Sequence, residues 1–218
     1  MKRIYFIYTT PTFFDMLYKP VMARAFDGRE DVDVRFAMDH SLLLDTLAND
    51  VQPPAAIKRK LLLLAQECAN SGADCVVVGC TAVNIATKEL ASMVDVPLIS
   101  VDEPMIQKVL QAGHKRIAVL SHTPINAMTI RRRLLAENPE LEVDLFPVEG
   151  AADLFAQGKI AEYHALMAQR AEQVFAGYDA MMLGHISAED ADFSAVSIPV
   201  YRTGSACIEQ IEKILGTK

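Results

Sequence analysis

The sequence is short of every feature that would take it out of the ordinary globular class. No apolar run approaches the ~18 residues of a membrane span, so no membrane segment is expected. The opening MKRIYFIYTTP has a charged start and an apolar stretch. The run from Ile4 to Tyr8 is nevertheless too short for a secretory signal, and no small-residue cleavage site follows Pro11. Cysteine is sparse: Cys68, Cys75, Cys80 and Cys207 form no Cys-x-x-Cys or zinc spacing. This excludes a disulfide framework and a metal site of the common kinds, and it points to a reducing, cytoplasmic compartment. Positive charge is in deficit as well. Twenty-one basic against twenty-eight acidic side chains leave a net charge of −7, which removes the electrostatic footprint a nucleic-acid partner would need. The basic clusters IKRK (57–60) and RRR (131–133) fall within helical patterns and read as solvated helix faces.

What is present is an ordinary core-forming composition, 51% apolar and 22% charged, over 218 residues, enough for one large core or two small ones. The chain also resembles itself. KRIYFIYTTP from Lys2 aligns with KRIAVLSHTP from Lys115, and VDVRF from Val32 with VDLFP from Val143. GADCVVVGC from Gly72 aligns with GYDAMMLGH from Gly177, and VDVPLIS from Val94 with VSIPVYR from Val196. The matches come in the same order in both halves, with spacing that shortens steadily, as loop deletions in a duplicated unit would produce.

Each half alternates strands (2–8; 115–120) with helices, including long ones over 55–71 and 161–176. Each also has a continuous apolar strand, CVVVG or AMMLG, that lacks polar alternation and therefore suits burial on both faces of a parallel sheet. The expected fold is α/β: two similar lobes with parallel sheets flanked by helices, related by a pseudo-twofold axis. Residues 1–100 make the first lobe, joined by a C-terminal helix over 203–218, and residues 101–202 make the second. SVDEP (100–104) reads as the hinge, and Pro20 and QPP (52–54) mark helix breaks or starts.

Ligands of open parallel sheets bind beyond the carboxyl ends of the strands. Four such ends carry polar residues here: TTPT (9–12), GCTAVN (79–84), SHTPIN (121–126) and GHIS (184–187). The repeat puts Cys80 and His185 at equivalent positions, one per lobe, so they are expected to face each other across a cleft. A helix beginning near Ala82 would set a positive end beside the Cys80 sulfur and favour thiolate. Cys75, in mid-strand, and Cys68, in mid-helix, read as small core residues. His40, His114 and His164 read as surface residues, and His122, in the loop equivalent to 9–12, as a candidate substrate contact.

VVVGCT followed by a helix, with a match at the corresponding strand of the second half, resembles the aspartate/glutamate racemase superfamily, whose relatives include hydantoin racemases, maleate isomerases and arylmalonate decarboxylases. The resemblance extends over the whole chain in architecture and rests on two short motifs. It implies proton transfer at the carbon next to a carboxylate, between two groups on opposite faces of the substrate and with no metal or other cofactor. Cys80 is then the first acid/base. Thr9, Thr10, Thr81, Asn84, Ser121, Thr123 and Ser187 would hold the substrate through side-chain polar groups and nearby backbone N–H groups; singly, such threonines are more often turn or cap residues. The departure is His185, which stands where the family pattern has a second cysteine. Imidazole, with an unperturbed pKa of ~6.5, can replace that cysteine in kind as a second acid/base. A helix start beside His185 would oppose imidazolium, and Glu189, Asp190 and Asp192 would favour it.

Three readings follow. The first is a cofactor-independent racemase or epimerase of an amino acid or related small acid. The second is a lyase or cis-trans isomerase using Cys80 alone. The third is a non-catalytic protein that binds a small carboxylate. Arg202 is the candidate cation for a second carboxylate. A homodimer or higher homo-oligomer is expected from the resemblance only.

Overall fold

A computed structural model describes residues 1–49 and 52–216 of the chain. The elements run β1 (Lys2–Tyr8), a π-helical segment (Phe14–Met22), α1 (Ala23–Phe26), β2 (Val32–Met38), α2 (Ser41–Leu47), α3 (Ala55–Asn70) and β3 (Cys75–Val78). They continue through a 3₁₀ turn (Asn84–Ala86), α4 (Thr87–Leu90), a second 3₁₀ turn (Ala91–Met93), β4 (Leu98–Ser100), α5 (Glu103–Gln111), β5 (Arg116–Ser121), α6 (Pro124–Glu137) and β6 (Glu142–Pro147). The last elements are α7 (Ala151–Ala156), α8 (Ile160–Val174), β7 (Ala180–Leu183), a 3₁₀ turn (Ile186–Ala188), β8 (Val200–Tyr201) and α9 (Thr203–Leu215).

Two compact units result: Met1–Pro104 together with Cys207–Lys218, and Met105–Ala206. Each contains one four-stranded, all-parallel sheet. The strand order is β2-β1-β3-β4 in the first unit and β6-β5-β7-β8 in the second, so both sheets are wound the same way.

In the first unit the inner strand β3 is buried along its whole length, as its unbroken Cys-Val-Val-Val requires. Val76 and Val78 pack under α3, whose buried Ile57, Leu61, Ala65 and Cys68 recur at helical spacing. The second unit repeats the pattern with β7. Met181 and Leu183 face the side covered by Tyr163, Met167 and Ala171 of α8, while Met182 faces Ile130 and Leu134 of α6. The entries to these strands are fastened alike. Asp74 accepts a hydrogen bond from the Arg3 N–H at 2.8 Å, and Asp179 accepts from the N–H groups of Lys115 and Arg116 at 2.7 and 2.9 Å.

Three local expectations are corrected. Pro20 does not break its helix: it lies inside the π-helical segment, whose wider turns carry the chain on into α1. No helix starts at Ala82, because residues 81–83 form a turn before the short 3₁₀ segment. In the 131–133 cluster Arg131 and Arg132 are exposed, but Arg133 is buried on the inner side of α6. No helix among the described residues is long and apolar enough to cross a membrane.

Candidate active site

At the carboxyl edge of the first sheet, the Gly79 N–H donates to the Ile7 carbonyl at 2.8 Å. A Cβ on Gly79 would lie 2.7 Å from the Phe13 ring, so any other residue here would have to push that ring aside, and glycine lets the chain pass close and deliver Cys80 to the sheet end. The N–H groups of Val83 and Asn84 then close a turn onto the Cys80 carbonyl at 3.1 and 3.0 Å. The sulfur receives the Thr9 hydroxyl and the N–H groups of Ala82 and Val83, all of which favour thiolate. Burial outweighs them and pushes the Cys80 thiol up from its ordinary value, with Asp102 adding to the rise. The expected thiolate preference is thereby corrected: without a real helix behind the turn, three local donors do not offset desolvation. Cys80 is half-buried, whereas Cys68, Cys75 and Cys207 are buried.

Among the other residues expected here, Thr9 is buried beside the sulfur. Thr10 is half-buried, with its carbonyl on the Phe13 N–H at 3.1 Å and its hydroxyl accepting from Thr12 at 3.2 Å. Thr81 is half-buried next to Cys80. Asn84 turns inward: its amide donates to Asp102 Oδ1 at 2.8 Å, the oxygen that Ser100 also reaches at 3.0 Å. Its own Oδ1 is buried with no hydrogen-bond donor among the described residues.

The second sheet edge has the same frame. The Gly184 N–H donates to the Leu120 carbonyl at 2.7 Å, and a Cβ on Gly184 would come within 2.8 Å of Ser121 Cβ. His185 follows in extended conformation, and its side chain caps the 3₁₀ turn after it, with Nδ1 accepting from the Ser187 N–H at 3.3 Å. Ser187 Oγ sits 2.7 Å from the same Nδ1, 2.7 Å from Tyr163 Oη and 3.4 Å from His122 Nδ1. Tyr163 Oη is also 3.3 Å from His122 Nδ1, and the two imidazoles meet edge to face at 4.4 Å between centroids. Phe155 stacks on His122 at 5.5 Å. Burial lowers the His122 pKa to about 4, and burial together with His122 holds His185 well below the ordinary histidine value. Both rings are neutral near pH 7.

The remaining expectations for this unit divide. Ser121 is buried and Thr123 is a helix cap, its hydroxyl accepting from the Asn126 N–H at 3.3 Å. Glu189 does not support an imidazolium. Its carboxylate is buried at the start of α9, accepting from the N–H groups of Gly204 and Ser205 at 2.8 Å each and from the Ser205 hydroxyl. Asp192 is turned to the Ser194 N–H at 2.9 Å. Arg202 Nη1 donates to the loop carbonyls of Glu189 and Ala191, and the guanidinium lies over the Phe193 ring. His164 is half-buried, its Nε2 2.9 Å from the Ser187 carbonyl, and His114 is 2.9 Å from Tyr201 Oη; only His40 is exposed as expected. Tyr163 and Phe155 were not foreseen. The available signal was a tyrosine at a buried helical position (163, 167, 171), where the hydroxyl needs a polar partner.

Among the described residues no three His, Cys, Asp or Glu side chains gather in a way that could hold a metal ion.

The Asp/Glu/Hydantoin racemase family profile matches residues 18–211. No curated protein sequence matches. Among solved structures, an aspartate racemase homologue from Pyrococcus horikoshii superposes with a TM-score of 0.68 at 18% identity, covering 99% of this chain and 100% of its own. Allantoin racemase from Klebsiella pneumoniae gives 0.68 at 16% identity, covering 100% and 89%. Arylmalonate decarboxylase gives 0.60 at 16% identity, covering 98% and 92%. At these identities the likeness establishes the fold.

Proposed function

Because the chain belongs to the Asp/Glu/hydantoin racemase family, we propose that it is a cofactor-independent racemase or epimerase that moves a proton at the carbon alpha to a carboxylate. The observation that carries this reading is the repeated frame. In each unit a glycine ends the rung to the neighbouring strand, and the next residue is an ionisable group fixed by local hydrogen bonds, Cys80 in one and His185 in the other. Cys80 and His185 are the two proton carriers of one reaction, and His185 replaces the family's second cysteine. Thr9 orients the sulfur, and the hydroxyls of Thr10 and Thr81 bind the substrate carboxylate.

A second reading draws on the state of Cys80. A thiol raised by burial rests protonated, as needed to deliver a proton to a carbanion after loss of CO₂. That is lyase chemistry of the kind named for one structural neighbour, with His185 as a hydrogen-bond donor only. Incubation in D₂O with a panel of amino acids, hydantoins and substituted malonates, followed by NMR, tests both. Racemisation with α-deuteration supports the first reading. CO₂ release with a single deuterium in the product supports the second. Neither reaction with any member of the panel leaves a carboxylate-binding protein.

A further inference from the structure

A hydrogen-bonded chain of four side chains, with Tyr163 and Ser187 buried and His122 and His185 half-buried, ends on His185, and the catalytic roles assigned above do not use most of it. We propose that His122, Tyr163, Ser187 and His185 form a proton relay that lets His185 change tautomer during turnover, with Ser187 as its obligatory middle link. This deepens the reading of His185 as a proton carrier and rests on it.

The direction of each bond follows from one fixed donor. The Ser187 backbone N–H can only donate, and at 3.3 Å it points at His185 Nδ1. Nδ1 therefore carries a lone pair in the resting state, and the proton of the neutral ring is on Nε2. Ser187 Oγ, 2.7 Å from the same nitrogen, then donates its own proton there. Having spent that proton, Oγ accepts from Tyr163 Oη at 2.7 Å. Tyr163 Oη and Ser187 Oγ both lie within reach of His122 Nδ1, at 3.3 and 3.4 Å, so His122 Nδ1 holds a proton and shares it between them. The two imidazoles therefore rest as opposite tautomers, His185 with hydrogen on Nε2 and His122 with hydrogen on Nδ1.

The relay solves a specific difficulty. A neutral imidazole that gives up its Nε2 proton alone becomes an imidazolate, and one that accepts a proton becomes a cation; burial opposes charge on either ring. With the chain in place no ring need become charged. As the His185 Nε2–H bond breaks and the substrate C–H bond forms, the Ser187 proton passes to His185 Nδ1; this leaves the Ser187 N–H without its acceptor, so the exchanged tautomer is the higher of the two and the resting one is restored after turnover. The Tyr163 proton passes to Ser187 Oγ, the His122 Nδ1 proton passes to Tyr163 Oη, and a solvent water gives a proton to His122 Nε2 and is left as hydroxide, which carries the charge of the former carbanion. One proton has moved from solvent to substrate, and both histidines are neutral with tautomers exchanged. Run backward, the sequence lets His185 Nε2 accept a substrate proton and release one to solvent through His122. The titratable group in ring contact with His185 is His122; Tyr163 reaches His185 through Ser187, and His164 lies against the Tyr163 ring and the Ser187 carbonyl.

Two measurements test this. The first needs no turnover: ¹⁵N-histidine NMR of the intact protein at pH 7 reads the tautomer of each ring. Opposite tautomers at His122 and His185, lost to mixed populations at His122 in Ser187→Ala and Tyr163→Phe, are the expected result. Equal tautomers in the unaltered protein, or spectra unchanged by both substitutions, overturn the relay. The second uses any substrate found by the deuterium panel. Ser187→Ala should lower kcat for inversion by ~10²-fold with little change in KM, while Ser187→Thr, which keeps the hydroxyl, recovers most of it; unchanged inversion in Ser187→Ala overturns the relay. If no panel member reacts, the function assigned above fails, and the tautomer measurement still decides the chain of hydrogen bonds.

Discussion

The two units carry the same frame and fill it differently. In the first, the residue after the strand-ending glycine is a thiol served by three donors: one threonine hydroxyl and two backbone N–H groups. In the second, it is an imidazole backed by a serine, a tyrosine and another histidine. A thiol is a single atom that donates and accepts at the same place, so a turn of backbone is enough to aim it. An imidazole has two ends, and one of them must be tied before the other can be trusted with a proton. The second unit accordingly draws side chains from the end of β5, from α8 and from the loop after β7. The same frame thus holds two ionisable groups of different kind, each among its own set of supporting groups.

The comparison is broken most severely at the thiol. Cys80→Ala should remove substrate proton exchange altogether, a loss of ~10²–10⁴-fold or more, measured as α-deuteration in D₂O. Alkylation of Cys80 by iodoacetamide should also accelerate with pH beyond the ordinary thiol range, since burial favours the protonated form. A thiolate-like rate at pH 7 would contradict that.

Next comes the imidazole. His185→Ala should abolish inversion while leaving one-face exchange by Cys80, and His185→Cys should restore part of the inversion by recreating the paired thiols of the family pattern. Chiral analysis of the deuterated product separates the two outcomes, and full inversion in His185→Ala would return this histidine to a structural role.

Stability should differ between the halves in its response to acid. A histidine held neutral in the fold binds fewer protons than in the unfolded chain wherever the pH lies between the two pKa values. Stability is therefore complete above about 6.5 and falls as the pH drops toward the folded value of about 4. For His122 alone the loss amounts to about 3 kcal/mol. Urea titrations from pH 7 to 4 should show it, and His122→Gln should flatten the slope.

The two glycines sharpen the comparison further. Alanine at 184 would press on Ser121 Cβ, fixed directly to strand β5, while alanine at 79 would press on the far edge of the Phe13 ring, which can tilt. Gly184→Ala should therefore cost more than Gly79→Ala, within ~1–3 kcal/mol for each, as read by thermal unfolding. Glu189→Gln removes the charge at the start of α9 and sets an amide NH₂ against a backbone N–H that a carboxylate oxygen now accepts from, so it should cost a similar ~1–3 kcal/mol.

Much of this was legible in the chain. The runs Cys75–Val78 and Ala180–Leu183 are apolar without alternation, and only a strand covered on both faces accommodates that; the repeat then fixed equal winding. The equivalence of Cys80 and His185 came from the glycine before each. Less legible was anything that depends on how deep a group sits. The stretch after Cys80 read as a helix start and is a turn, and the balance between its donors and desolvation could not be foreseen. Tyr163 precedes His185 by most of a helix and a strand, and periodicity identifies it as a core position without saying that its hydroxyl meets Ser187. Glu189 read as a counter-charge for His185 because it is near in sequence; the chain turns it instead to the start of α9.

The last rung of each inner strand toward its neighbour is made by glycine, Gly79 to Ile7 and Gly184 to Leu120. The reactive residue thus stands one step past that ladder, where the strand pairing asks nothing of its side chain. A substitution there leaves the ladder intact, because the sheet is finished one residue earlier. A fold whose working groups sit just off the end of its scaffold can try new acids and bases without first learning to fold again.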